Sequence, residues 1–197
     1  MKAINWQEVE TDTNGGGNND LPTGGYVMRI MEVEDLEDYT NQWGDTYDCI
    51  RIRFDVAEGD KANFFTDNNK PDFTHEYEFR YNPDNCGGNF GWMAGQFKTF
   101  YSMVLPESNP GFVFDFNDAT CMEGQLFGVT IRQYLYESNG EDKSRPEVQG
   151  FYTADAIRAG KFKKPQDRIK RGYTPPSQRN AATTQAIEPE PAYELPF

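Results

Sequence analysis

The chain has 197 residues, a net charge of −13 and 15% aromatic residues, drawn from 15 Phe, 11 Tyr and 3 Trp. It holds no run of about 18 apolar residues, so no membrane-spanning helix is expected. Cys49, Cys86 and Cys121 are scattered and lack CxxC spacing, and His75 is the single histidine; free thiols in a reducing compartment are expected, and no zinc site.

Residues 1–20 end in Asn14-Gly15-Gly16-Gly17-Asn18-Asn19-Asp20, a flexible lead-in by composition. Met1-Lys2-Ala3-Ile4-Asn5-Trp6 carries no apolar signal core, so a cytoplasmic location is expected. A first strand is predicted over Tyr26–Val33 and a second over Tyr47–Val56. In the second, Ile50, Ile52, Phe54 and Val56 alternate with Tyr47, Cys49, Arg51 and Arg53; the apolar set should face a core and the other set should face outward. A third strand, about Phe73–Tyr81, puts Phe73, His75, Tyr77, Phe79 and Tyr81 opposite Thr74, Glu76, Glu78 and Arg80.

Phe90, Met93, Phe97, Phe100, Tyr101 and Val104 recur at steps of three and four, which predicts a helix over Phe90–Val104 that stops at Pro106. A fourth strand follows at Gln125–Tyr136, with Phe127, Val129, Ile131 and Leu135 inward and Thr130, Arg132, Tyr134 and Tyr136 outward. Ser138-Asn139-Gly140 is a hairpin turn signal. A fifth strand is expected at Val148–Tyr152, then a short helix capped by Thr153. Three strands, one helix and two strands make a mostly β domain over residues 21–159. That order is the order of an OB-type five-stranded barrel with its helix between strands three and four.

Residues 160–187 hold Pro165, Pro175 and Pro176 and too few apolar residues for a core, so a disordered linker is expected, basic first and neutral later. Charge is uneven along the chain. Residues 157–187 carry 8 basic side chains against 1 acidic one, while residues 1–156 carry 11 basic against 28 acidic. Residues 188–197 form an acidic tip.

Three constellations bear on function. The outward sheet face gathers Tyr47, Arg51, Arg53, Arg80, Arg132, Tyr134 and Tyr136, with Trp43 on the preceding loop. Rings stack on bases and guanidinium groups pair with phosphate, so this face is a candidate for single-stranded DNA. The same pattern also fits a solvated face of cross-strand Tyr–Arg pairs. Arg158, Lys161, Lys163, Lys164, Arg168, Lys170 and Arg171, interleaved with Phe162 and Tyr173, form a basic arm; it suits a phosphate backbone or serves as a solubilising linker. The terminal Glu194-Leu195-Pro196-Phe197 suits a docking peptide, its ring filling an apolar pocket and its carboxylate meeting a basic residue.

An OB-like body, a low-complexity tail and an acidic end closing on Leu195-Pro196-Phe197 together resemble the bacterial and phage single-stranded-DNA-binding proteins. Gly24-Gly25-Tyr26-Val27, Phe54-Asp55-Val56-Ala57-Glu58-Gly59 and Ser108-Asn109-Pro110-Gly111-Phe112 are similar to segments of small proteins encoded by phages and prophages of Gram-positive bacteria. The resemblance implies binding without strong sequence preference in phage DNA replication or recombination, inside a host cytoplasm. It also implies that the tip, Pro196 and Phe197 above all, recruits replication and recombination proteins. A homo-oligomer is compatible with it.

No cofactor is expected, and no enzymatic activity. The sequence holds no Ser–His–Asp set, phosphate-binding loop or dinucleotide fingerprint. Two rival readings stand beside DNA binding. One is an acidic DNA mimic that binds a basic protein. The other is a metal-dependent nuclease using Glu32, Glu34, Asp35, Glu37 and Asp38, which lack the residue order of a calcium loop.

Overall fold

The structure, a computed structural model, describes residues 21–68, 76–81 and 90–176. β1 (Gly24–Thr40), β2 (Thr46–Val56), β3 (Glu76–Arg80), β4 (Leu126–Ser138) and β5 (Glu141–Tyr152) form an antiparallel sheet in the order β3-β2-β1-β4-β5. A short β6 (Arg168–Ile169) pairs with β4 in parallel. The chain is thus mostly β, with six strands in one open sheet.

The inward alternation of β2 is as the sequence predicts. Ile50, Ile52, Phe54 and Val56 are buried with Met28, Ile30, Phe127, Val129 and Ile131. Removing this apolar surface from water is the main force holding the sheet in its curved form. The outward alternation holds only in part. Tyr47 and Cys49 are 2% and 0% exposed, because side chains of neighbouring strands cover the end of β2 nearest the hairpin.

The helix predicted from Phe90 continues past its expected end. α2 (Phe90–Thr99) passes into one π-helical turn (Phe100–Val104) and then α3 (Leu105–Ser108). Leu105 N–H reaches back to the Phe100 carbonyl. The wider turn accommodates Pro106, which cannot donate and would crowd the carbonyl four residues earlier in a regular α-helix. Phe100, fully buried, stacks on Phe79 with ring centroids 4.8 Å apart and meets Phe151 at 5.1 Å.

That ring cluster sits where the two ends of the sheet approach each other. Tyr77 and Phe79 of β3 lie 4.9 and 5.2 Å from the Phe151 ring of β5. Among the described residues β3 pairs only with β2, and β5 only with β4. Packed rings, rather than a backbone ladder, join the ends, and the sheet stays open.

Smaller elements seal the rest. α1 (Phe64–Asn68) is held by the buried Asp55, whose carboxylate accepts from the backbone N–H groups of Phe65 and Thr66 and from the Thr66 hydroxyl. α4 (Ala154–Arg158) starts at the Thr153 cap as expected and lies on the outer face of β4. A Cβ on Gly128 would stand 2.5 Å from the Ile157 side chain, so glycine there lets α4 approach.

Candidate nucleic-acid interface

Two outward surfaces carry arginine, and their surroundings differ. On β1, β2 and β3 the register sets Glu32 beside Arg53 beside Glu76, and Glu34 beside Arg51 beside Glu78. Arg53 reaches Glu32 at 2.7 Å and Glu76 at 3.3 Å. Arg51 reaches Glu34 at 3.1 Å, Glu76 at 3.2 Å and Glu78 at 2.8 Å. Four carboxylates hold two guanidinium groups. This surface is negative in sum and its arginines already have partners. Burial alone would make Arg51 easier to deprotonate, but hydrogen bonding to Glu78 and the Glu76 charge hold it firmly protonated.

Tyr47 and Arg80 belong to the same surface. Arg80 lies over the Tyr47 ring, 3.6 Å from its centroid, and the Tyr47 hydroxyl donates to Glu78 at 2.7 Å. Tyr47 is therefore a packing residue beneath a cation and offers no face to a base, which corrects its expected outward role. Trp43 is 74% exposed at the tip of the β1–β2 turn. Asn41 shapes that turn by accepting from the Trp43 and Asp45 backbone N–H groups, both at 2.9 Å.

The second surface lies on β4, β5 and β6, and here arginines outnumber the carboxylate they share. Asn139 and Gly140 both have positive φ, at 56° and 79°, and close a two-residue hairpin. Counting back from that turn, Tyr136 faces Lys143, Tyr134 faces Arg145 and Arg132 faces Glu147. Tyr134 and Tyr136 stack, with centroids 5.6 Å apart and planes 22° from parallel. Arg145 and Arg168 each approach the Tyr134 ring, at 5.0 and 5.2 Å. Glu147 meets three arginines: Arg132 at 3.1 Å, Arg145 at 3.4 Å and Arg168 at 3.7 Å. Three cations around one carboxylate leave positive charge to spare beside a ladder of rings.

Lys143 and Arg145 escape the sequence reading because it begins the fifth strand only at Val148. Pro146 argues against an earlier start, yet β5 is an edge strand whose proline sits opposite Gln133. The backbone N–H of Gln133 donates to Asp167 at 3.1 Å. The turn-based count from Asn139-Gly140 is the signal that could have found both residues.

The basic arm is ordered against the sheet over its described part. Phe162 packs with Val27 and Ile157 and covers Gly25, while Lys161, Lys163 and Lys164 are exposed along the same stretch. Residues 160–176, expected as the start of a linker, thereby contribute β6 and the Arg168 contact to Tyr134. Arg158 leaves the arm and pairs with Glu58 and Asp155. Its hydrogen bonds hold the Glu58 carboxyl below its usual range. The tip residues Glu194, Leu195, Pro196 and Phe197 lie outside the described residues, as do His75 and Cys86.

A cleft of about 450 Å³ opens beside α2, lined by Trp92, Gln96, Thr99, Phe100 and Phe151 with Gly91 and Gly95. Its polar side chains are uncharged, and both make internal hydrogen bonds, Gln96 with Tyr77 and Thr99 with the Gly95 carbonyl. Among the described residues no group of three or more His, Cys, Asp or Glu is arranged to hold a metal ion, and no helix is long and apolar enough to cross a membrane. Compared with known proteins, the chain matches no family model and no curated protein sequence.

Proposed function

We propose that this protein binds single-stranded DNA without strong sequence preference, through an OB-type body whose binding surface is the β4–β5–β6 face. One observation carries the reading: the stacked Tyr134 and Tyr136, with Arg145 and Arg168 against the Tyr134 ring and three arginines sharing the single carboxylate of Glu147. Bases can extend the ring stack while phosphates meet the guanidinium groups, and both contacts tolerate any base. In OB-type domains oligonucleotides bind on the face of strands two and three and against the loops joining strands one to two and four to five; here the β2–β3 face is acidic, which leaves the loop side. Trp43 stands on the first connection, and the Tyr–Arg ribbon of β4 and β5 leads into the second. The strand order β3-β2-β1-β4-β5, with its helix between β3 and β4, supports the same architecture.

The setting we infer is phage or prophage replication or recombination, with Glu194-Leu195-Pro196-Phe197 recruiting partner proteins. This part rests on the sequence resemblance. Deleting Phe197 should abolish partner recruitment and leave DNA affinity intact.

Titration of fluorescent oligo-dT at several salt concentrations, with and without magnesium, tests the whole reading. Tight, salt-sensitive binding without cleavage supports it. The glutamate-rich β1–β2–β3 surface favours a second reading, an acidic mimic that engages a basic protein. Failure to bind DNA, together with binding to a basic partner, would support that alternative. Cleavage that requires magnesium would point to a nuclease.

A further inference from the structure

Resting on that reading, the geometry points to Asp167 as the positioning residue of the DNA site: its carboxylate clamps the segment after α4 to β4 so that Arg168 reaches Tyr134. β1 covers one edge of β4 only as far as Ile131, which pairs with Gly24. Beyond that point the edge would be bare, and bare edges invite pairing. The chain fills it with its own residues 167–170. Gln133 N–H donates to Asp167 Oδ1 at 3.1 Å, and the Thr23 hydroxyl donates to the same oxygen at 2.6 Å. Arg168 and Ile169 then run beside Tyr134 and Leu135, and Lys170 N–H donates to the Leu135 carbonyl at 2.9 Å.

One carboxylate therefore joins three pieces of chain: the lead into β1, the middle of β4 and the start of β6. The charge pattern adds an independent reason. Asp167 is the single acid among the 8 basic residues of 157–187. In a stretch that meets phosphate, a carboxylate opposes binding through its charge. A clamping role accounts for its presence there.

The two roles predict opposite signs, so they can be separated in the full-length chain. Asp167→Asn removes the charge and keeps an oxygen that can accept both hydrogen bonds. Asp167→Ala removes both. If Asp167 acts as a clamp, the Asn variant binds oligo-dT as well as the parent or better. The Ala variant binds roughly three- to tenfold more weakly, the scale of one or two net hydrogen bonds. Its salt slope should also flatten by about 0.7 for each phosphate that the loosened segment no longer neutralises. Thr23→Val, which removes one donor, should move affinity in the same direction by less. Amide exchange at Lys170 should quicken in the Ala variant alone, a readout that needs no DNA.

Ala binding as tight as the parent's, or equal weakening in Asn and Ala, overturns the inference. A parent chain that binds no oligo-dT overturns the single-stranded-DNA reading itself, and the role of Asp167 falls with it. Exchange at Lys170 then still reports whether the clamp exists.

Discussion

Tyr134 and Tyr136 stack on one another two positions apart on one strand, centroids 5.6 Å apart and planes within 22° of parallel. A third flat ring could extend such a stack, and a nucleobase is one. Replacing either tyrosine with alanine should weaken oligo-dT binding by about 1–3 kcal/mol, the value of one stacked base. Fluorescence titration of each folded variant checks this. Unchanged affinity in both would remove the ring ladder from the DNA site.

Arginines on the two surfaces should behave differently. Arg145 is half exposed and has one carboxylate, Glu147, shared with two other arginines. Arg53 is held between Glu32 and Glu76. Arg145→Ala should weaken binding and flatten the salt slope by about 0.7. Arg53→Ala should change neither. Equal losses from the two substitutions would move the binding surface to include β2.

Arg51 matters to folding. Its side chain is 11% exposed among Glu34, Glu76 and Glu78. Arg51→Met leaves Glu34 and Glu78 without this partner and Arg53 as the remaining cation beside Glu76. A loss of about 1–3 kcal/mol in urea denaturation is expected, the scale for hydrogen bonds to charged groups. A midpoint equal to the parent's would show that the ladder adds no net stability.

Alkaline pH should expose the burial of Tyr47. Burial first, then the hydrogen bond to Glu78 and the Glu78 charge, push the phenol up to about 12. The unfolded phenol ionises near its ordinary value, about 10. Between these values the folded state keeps a proton that the unfolded state has lost, so the Tyr47 contribution is full below about pH 10 and is lost as pH rises toward 12. Tyr47→Phe should make the alkaline decline of Tm shallower without abolishing it, because burial pushes the Cys49 thiol up to about 12 as well. Parallel declines would assign the alkaline loss to other groups.

Two glycines under the outer layer offer a graded test. An alanine Cβ at Gly25 would meet the ring of Phe162, the movable end of a side chain. At Gly128 it would meet the Thr153 carbonyl at 2.6 Å as well as Ile157. Gly128→Ala should therefore cost more, about 1–3 kcal/mol by overpacking. Gly25→Ala should cost less and loosen the segment that carries Lys161, Lys163 and Lys164. Thermal melts of both variants give the order.

Local pattern carried much of the fold. Period-two alternation in Ile50, Ile52, Phe54 and Val56 located β2 and its inner face, and the three-four spacing through Phe97, Phe100 and Val104 located the central helix. Both signals are short-range, since each residue's direction follows from the backbone repeat. Pro106 misled about the helix end, because a proline can be accommodated by widening the turn before it.

The candidate site was only half legible. Alternation by itself indicated that Arg51, Arg53, Arg132, Tyr134 and Tyr136 face away from the core. It was silent on what stands across from each, because a cross-strand neighbour depends on register between segments distant in sequence. Register set glutamates on both sides of Arg51 and Arg53, and Arg145 beside Tyr134. Composition likewise marked residues 160–187 as too polar for a core. It did not foresee that part of this stretch would meet an edge of β4 that β1 leaves uncovered, where three hydrogen bonds to Asp167 and Leu135 hold it. The sequence by itself determined β2 and its inner face, the start of the central helix and the inventory of rings and cations. Tertiary structure decided which cations are neutralised and which keep a spare charge, because charge balance depends on distances that only the assembled sheet defines.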